Sequence, residues 1–308
     1  MTAPSPVPPM GSEYTIEHGA HFASVMEVGA ALRMYRAGDQ EYVETFDAQS
    51  APIGGHGQLL MPWPNRVRDG RYDFGGNQHQ LALPEPARHN AIHGLVRWAN
   101  WTVSEHESNR LVLSHRLHAQ PGYPFVLDFT VEYALGDSGL SVHHMVRNVG
   151  SEPCPFGAGA HPYVAVGCSI DDAILTVPAS QSLEIDDHCI PTGTTPVEGT
   201  ALDYRKGRPL GATVLDHAFT ELHFAGDGRA RARLAAPGGT AVDVWMDTAH
   251  DHVMIFTGSA GGGPRNWKGV AIEPMTCAPN ALADGTARVL TPDEEFRWAW
   301  GISPVSIS

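Results

Sequence analysis

The strongest regularity along the chain is an alternation of apolar and polar positions with a period of two. In residues 127–135, LDFTVEYAL, the odd-numbered positions are all apolar or aromatic and the even-numbered ones are mostly polar. Successive side chains of a β-strand point to opposite faces, so this pattern predicts a half-buried strand. A turn at 136–139, GDSG, and a second alternating run at 140–146, LSVHHMV, complete a predicted hairpin.

The same pattern recurs in other parts of the chain. Hairpins are predicted at 72–83, with a turn at Gly75-Gly76-Asn77, at 101–117, with a turn near Ser108-Asn109, and at 229–247, with a turn at Pro237-Gly238-Gly239. Residues 296–302, FRWAWGI, predict one more strand. No pattern indicates a helix longer than about three turns. Strands joined by short turns, without helices between them, predict an all-β fold, a large antiparallel β-sandwich.

Length and composition suit one large domain. The chain has 308 residues, of which 42% are hydrophobic, so a sizeable core can form. We expect a disordered Pro-rich tail over residues 1–14 and a single domain over residues 15–308. The four cysteines have no CxxC spacing and predict no disulfide scaffold.

Charge and the N-terminal sequence restrict the partners and the compartment. Twenty basic and 34 acidic residues give a net charge of −14, which argues against a nucleic-acid or anionic membrane surface. The first residues lack the basic and apolar segments of a signal peptide, and no apolar run approaches the ~18 residues that span a bilayer. We therefore expect a cytoplasmic protein without a membrane or nucleic-acid partner.

Two residues stand out as candidates for acid–base chemistry. Glu273 follows the apolar run Val-Ala-Ile and precedes a proline, and loss of solvation at the end of an apolar strand would raise its pKa toward that of a useful base. His161 lies in FGAGAHPYVAVG at 156–167, where small residues would leave room for a ligand. The alternatives are that Glu273 pairs with an arginine and that His161 is a buried histidine bonded to backbone.

Other kinds of site find little support. The neighbouring histidines His143 and His144 point to opposite faces of a predicted strand, and neither a cupin nor a zincin motif is present, so we expect no metal. The run SAGGGPRN at 259–266 lacks the Lys-Ser/Thr ending of a phosphate-binding loop, and we interpret it as a flexible loop. There is no GxSxG nucleophile motif, and we expect no cofactor.

Five short motifs in order resemble the aldose 1-epimerase (galactose mutarotase) family. They are PNRVRDGRY from residue 64, NAIHG from residue 90, AHPY from residue 160, LDHAF from residue 215 and IEP from residue 272. The resemblance covers most of the chain. It implies a galactose mutarotase-like supersandwich with an open cleft that binds a small-molecule sugar. Separately, we expect a monomer or a homodimer.

The resemblance also implies roles for individual residues. Glu273 would be the general base that takes the proton from the anomeric hydroxyl, His161 the general acid that protonates the ring oxygen, and His93 an assisting group near that oxygen. Sugar-binding residues would be Arg66, Asp216, Asn65 and Arg97. The implied reaction is interconversion of the α and β anomers of a hexose, without a cofactor.

The chain departs from the better-known mutarotases at several positions and resembles a divergent bacterial branch of the family. These departures put the identity of the substrate in question. HGLVRW follows where a longer glycine-rich segment is usual, and VAVG replaces the usual Phe-Asn after His-Pro-Tyr. Arg68, Arg71 and Arg97 could form an anion pocket, so a phosphorylated or sulfonated hexose is an alternative substrate. A non-catalytic sugar-binding protein is a second alternative, and a glycosidase that uses Asp216 and Glu273 is a third.

Overall fold

The computed structural model describes residues 7–50, 52–258 and 268–306, and within these ranges the regular secondary structure consists of strands. The strands are β1 (Glu13–His18), β2 (His21–Met26), β3 (Leu32–Ala37), β4 (Gln40–Val43), β5 (Leu59–Leu60), β6 (Arg66–Arg68), β7 (Arg71–Phe74), β8 (Asn77–Gln80), β9 (Asn90–Ile92), β10 (Thr102–His106), β11 (Arg110–Leu117), β12 (Leu127–Gly136), β13 (Gly139–Asn148), β14 (Cys154–Phe156), β15 (Gly159–Ala160), β16 (Tyr163–Val164), β17 (Ile174–Thr176), β18 (Ala179–Ile185), β19 (Pro191–Pro196), β20 (Arg208–Pro209), β21 (Asp216–Leu222), β22 (Ala230–Ala235), β23 (Thr240–Met246), β24 (His252–Phe256), β25 (Val270–Met275), β26 (Arg288–Leu290) and β27 (Glu295–Ser306). In the described part of the chain, no helix is long and apolar enough to cross a membrane.

Two large sheets form the sandwich. The first has twelve strands, in the order β1-β2-β3-β4-β16-β25-β24-β21-β18-β19, with β15 and β5 attached beside β25. The second has nine strands, in the order β10-β11-β12-β13-β27-β23-β22-β17-β20. Three two-stranded sheets, β14-β26, β6-β9 and β7-β8, complete the described strands. One continuous apolar cluster contains buried side chains of both large sheets, among them Val25, Ile255, Val131 and Val244. The predicted all-β sandwich is confirmed.

The predicted hairpins form with the expected faces. In β12 the apolar side chains from Leu127 to Leu135 are buried at every second position, and β13 returns antiparallel with Leu135 opposite Leu140. The hairpins β7-β8, β10-β11 and β22-β23 also form where the alternation predicts them. These hairpins are local, so pattern and turn residues suffice to specify them. The glycine-rich run at 259–266 lies outside the described residues.

The expected N-terminal tail needs a correction in its second half. Strand β1 begins at Glu13, which pairs with Met26. Met10 is only 1% exposed and packs with Met26 and Ala31. Met10 therefore anchors this segment to the sandwich. The proline-rich composition of the tail does not indicate that one of its apolar side chains is buried. Residues 1–6 lie outside the described ranges.

A buried histidine lies in the core between the sheets. His144 on β13 is stacked on Trp298, with ring centroids 4.9 Å apart and planes 2° from parallel, and the indole Nε1 of Trp300 donates a hydrogen bond to its Nε2 at 3.0 Å. Burial lowers the pKa of His144 to about 3, and the nearby His250 and His143 act in the same direction. The folded protein therefore holds this ring neutral well below the pH at which the unfolded chain would protonate it.

The pH dependence of stability tests this burial. Below about pH 6.5 the unfolded chain takes up a proton at His144 that the folded chain excludes. The contribution of neutral His144 to the free energy of unfolding is therefore fully present above pH 6.5 and is lost as the pH falls toward 3. His144→Gln keeps an acceptor for Trp300 but cannot titrate. We expect the difference in unfolding free energy between wild type and variant to shift by about 2 kcal/mol, to the disadvantage of the wild type, from pH 7 to pH 5. Urea unfolding at the two pH values measures it, and a constant difference would contradict the assignment.

Candidate active site

The register of three neighbouring strands brings two carboxylates to one face of the twelve-stranded sheet. Across β21, β24 and β25, Asp216 lies opposite Phe256, and Met254 lies opposite Glu273. Directly paired residues of antiparallel strands share a face, as do residues two apart on one strand, so all four side chains lie on the same side. The alternate side chains, such as Ile255, enter the main core. The carboxylates therefore lie on the face that points away from the core.

Two loop regions cover this face and enclose a cavity of about 340 Å³, a volume at the lower end of small-molecule sites. The cavity is lined by Pro52, Gly54, Gly55, Asn65, Arg66, Pro84, Glu85, Ile92, His93, Arg97, Trp98, His161, Asp216, Met254, Phe256 and Glu273. All seven residues that the sequence analysis proposes for the site are in this set. A larger concavity of about 520 Å³ near Gln40 and Lys268 contains no histidine in its lining.

Glu273 and His161 form a close buried pair. Oε1 of Glu273 lies 3.3 Å from Nε2 of His161, and the two residues are 2% and 4% exposed. Burial raises the pKa of Glu273 well above its usual value, and the charge of Asp216 adds to this effect. Burial lowers the pKa of His161 to about 3, and the charges of His56 and Arg97 act in the same direction. Both shifts favour the neutral forms of the two groups, a protonated Glu273 and an unprotonated His161.

His93 lies beside this pair. Its ring centroid is 5.4 Å from that of His161, with the planes at 82°. Its backbone has a φ of +63° and its N–H donates to the carbonyl of Asn65 at 2.9 Å, which holds the residue in place after β9. Burial lowers the pKa of His93 well below its usual value, with His161, Arg97 and Arg66 contributing. A neutral imidazole at this position can donate or accept one hydrogen bond toward a ligand.

Arg66 is both a lining residue and a member of an ion-pair network. Its Nε donates to Oε2 of Glu85 at 2.9 Å and its Nη2 to Oε1 at 3.0 Å, while Oδ2 of Asp216 lies 3.8 Å from Nη2. Burial opposes the charge of Arg66, but Glu85 and Asp216 outweigh it and raise the pKa of the guanidinium. Asn90 Nδ2 donates to Glu85 as well, at 3.0 Å. Glu85 is not recognisable from the sequence, because a carboxylate between two prolines gives no local signal of a partner 19 residues away.

The possible arginine pocket is not formed by three residues. Arg68 pairs with Asp186, and Nε of Arg71 donates to the side chain of Gln80 at 3.0 Å on the exposed hairpin. Of these three arginines only Arg97 lines the cavity, and its guanidinium forms no ion pair with a carboxylate of the described residues. Its guanidinium carbon is 5.5 Å from the ring centroid of Trp98, and burial lowers its pKa. The cavity rim therefore carries one cation without a counter-ion in the described part of the chain.

The small residues before His161 have a different role from the one that the sequence suggests. A Cβ on Gly157 would lie 2.3 Å from Sγ of Cys277, and a Cβ on Gly159 would lie 2.9 Å from Cβ of Pro64. These glycines allow close packing of the backbone and do not line the cavity. Gly55, which approaches the ring of His161 closely, lies instead in the loop at 53–58, which no motif had singled out. Among the described residues, no three His, Cys, Asp or Glu side chains are grouped to hold a metal ion.

Comparisons with a family model and with curated proteins match most of the chain. The family model for aldose 1-epimerase matches residues 12–303. The uncharacterized protein YihR of Escherichia coli K12 is 30% identical over 291 residues, which cover 89% of this chain and 87% of that protein. Human galactose mutarotase is 30% identical over 239 residues, 71% of this chain and 66% of that protein.

Solved structures agree in fold. A GalM/aldose epimerase homologue from C. elegans superposes with a TM-score of 0.85 at 18% identity, covering 96% of this chain and 99% of that one. The galactose 1-epimerase of Lactobacillus acidophilus superposes with a TM-score of 0.79 at 21% identity, covering 94% and 93%. The match over nearly the whole sequence and the shared sandwich lead to one conclusion: this chain belongs to the aldose 1-epimerase family.

Proposed function

We propose that the protein is an aldose 1-epimerase that interconverts the α and β anomers of a hexose by acid–base opening of the sugar ring. The observation that carries this proposal is the pair of Glu273 and His161, buried 3.3 Å apart in a cavity of about 340 Å³. A protein that only binds sugar needs no such pair, because buried ionisable groups are costly unless they are used or compensated. Membership of the family supports the same reaction class.

The pair can perform the reaction without a proton from solvent. Transfer of its one proton from Glu273 to Nε2 of His161 gives a carboxylate and an imidazolium at no change in net charge. The carboxylate then takes the proton of the anomeric hydroxyl while the imidazolium gives its proton to the ring oxygen, and the C1–O5 bond breaks to leave an open-chain aldehyde. After rotation about C1–C2, closure of the ring reverses both transfers and restores the pair. Each transfer by a positioned group contributes roughly 10²–10⁴-fold.

The remaining residues supply binding and orientation in this proposal. Arg66 and Asp216 present a donor set and an acceptor set to sugar hydroxyls, and Glu85 fixes the direction of the guanidinium. His93, held neutral, is placed to hydrogen-bond near the ring oxygen. Asn65 accepts the N–H of Arg66 through Oδ1 at 2.9 Å, so it lines the cavity and shapes the start of β6.

Mutarotation of freshly dissolved α-galactose and α-glucose, followed by polarimetry, tests the reaction and its base. We expect the wild type to accelerate the approach to equilibrium and Glu273→Gln to lose at least about 10²-fold in rate, because the amide cannot accept the proton. Glu41→Gln is a matched control, since Glu41 lines the separate concavity near Lys268. Its rate is expected to equal that of the wild type. A Glu273→Gln variant with the wild-type rate would contradict the assignment of the base.

A charged hexose is a second candidate substrate, and Arg97 favours it. A half-buried cation without a carboxylate partner at the rim of a sugar cavity is suited to an anionic substituent such as a phosphate or sulfonate. The acid–base chemistry would be unchanged. Only the position of the charged group on the sugar would decide whether it reaches the guanidinium.

Kinetics with a neutral and a charged sugar separate the two substrates. If the hexose is charged, Arg97→Ala should raise KM for glucose 6-phosphate or a 6-sulfonated glucose by at least about tenfold, through loss of a charge-assisted hydrogen bond, and change KM for glucose by less than about twofold. Arg71→Ala serves as the control, because Arg71 bonds Gln80 outside the cavity. An equal effect of Arg97→Ala on both sugars would count against a charged substrate.

A further inference from the structure

Among the described residues, the ring of His161 has no partner for the second hydrogen bond that commonly fixes a histidine in an active site. Its Nε2 faces Glu273, but its Nδ1 is buried and has no hydrogen-bond partner among the described residues. In many acid–base sites, the second ring nitrogen donates to a carboxylate or a carbonyl that sets the orientation of the ring. Another interaction must therefore orient this ring if the pair is to function.

The loop at 53–58 makes a very close contact with the ring. A Cβ placed on Gly55 would lie 2.8 Å from Cδ2 of His161, 3.1 Å from Cγ and 3.2 Å from Nε2, so there is no space there for any side chain. The same loop is bonded to the backbone of His161 in both directions. The N–H of Gly57 donates to the carbonyl of His161 at 2.9 Å, and the N–H of His161 donates to the carbonyl of Gln58 at 3.0 Å.

The loop also supports the ring through an aromatic stack. Tyr163 lies against His161, with centroids 5.1 Å apart and planes at 21°, and His56 stacks on Tyr163 at 3.7 Å and 5°. The hydroxyl of Tyr163 donates to the carbonyl of Gly54 at 2.9 Å, and Nδ1 of His56 donates to the carbonyl of Ile53 at 2.8 Å. The middle ring of the stack, Tyr163, and its outer ring, His56, are thus both hydrogen-bonded to the loop that carries Gly55.

Glu44 completes the support. Its carboxylate lies 3.8 Å from Nε2 of His56 and accepts the backbone N–H groups of Lys268, at 3.0 Å, and Gly269, at 2.8 Å. These amides immediately precede β25, the strand that carries Glu273. The support of His161 and the strand of Glu273 are therefore tied to the same carboxylate.

We propose that the loop at 53–58 is the positioning element of His161, in which Gly55 fixes the ring by direct packing and His56 fixes it through Tyr163. Gly55 and His56 are positioning residues that act through His161. This inference rests on the proposed mutarotase activity for its kinetic consequence. Its structural content, the orientation of one imidazole, can be measured without turnover.

Gly55→Ala, compared with a matched glycine variant, tests the direct contact. Gly55 has a φ of +80° and Gly76, in the β7-β8 turn, has a φ of +79°, but a Cβ on Gly76 would meet nothing within 4 Å. The two substitutions therefore place a Cβ at nearly the same positive φ and differ in the clash with His161. We expect Gly55→Ala to lower kcat by at least about tenfold with KM within about twofold, because displacement of a reacting group lowers the rate of the chemical step while the hydroxyl contacts remain. Gly76→Ala should behave as the wild type.

The ¹⁵N and ¹H signals of the His161 imidazole give the readout that is independent of activity. We expect them to shift in Gly55→Ala and not in Gly76→Ala. Unchanged signals in Gly55→Ala would overturn the positioning role, whatever the kinetics. If the signals shift in Gly55→Ala but the wild type accelerates the mutarotation of no sugar, the positioning role is retained and the proposed function is overturned.

A second pair of variants keeps the proposal testable if Gly55→Ala does not fold. His56→Ala removes the outer ring of the stack, whereas His56→Phe retains a ring at that position. We expect His56→Ala to lower kcat and shift the His161 signals, and His56→Phe to restore most of both. Wild-type values in His56→Ala, or equal damage in both variants, would overturn the role of the stack.

Discussion

The pairing of β15 and β16 with β25 is the contact on which the site depends. Gly159 lies opposite Met275, and Tyr163 lies opposite Ala271, so the chain around His161 runs directly along the strand of Glu273. The close approach needs the absence of side chains at Gly157 and Gly159, where a Cβ would enter Cys277 and Pro64. Because protein interiors are close-packed, an added methyl group here would push the two segments apart and lengthen the 3.3 Å contact.

The site can be buried because its charges are arranged to compensate one another. Arg66 is balanced by Glu85 and lies near Asp216, while burial drives Glu273 and His161 toward their neutral forms. A buried pair that carries no net charge avoids most of the desolvation cost of two separate ions. Arg97 is the exception within the described residues, and it lies at the rim, where the guanidinium keeps contact with solvent and with the ring of Trp98.

The sequence predicts the local parts of this structure and misses those that depend on distant contacts. The hairpin of β12 and β13 follows from alternation and a turn, and Glu273 is recognisable as a carboxylate that ends an apolar run. The order of strands is not recognisable in this way, since β4 pairs with β16 and β16 with β25, which joins Val43, Val164 and Val270. Gly55, His56 and Glu85 were missed for the same reason. The glycines near His161 were misread because close packing and open space both require small residues.

The residues of the cavity rim and the pair of Glu273 and His161 lie on different parts of the fold. Asp216 and Glu273 lie on strands of the large sheet, and His161 lies between β15 and β16, whereas His93, Arg97 and Trp98 lie in the connection after β9. A change in that connection can alter the rim without moving a strand that carries the acid–base pair. Substitutions in this one connection are therefore expected to change which ligands the cavity accepts, while the contact between Glu273 and His161 is retained.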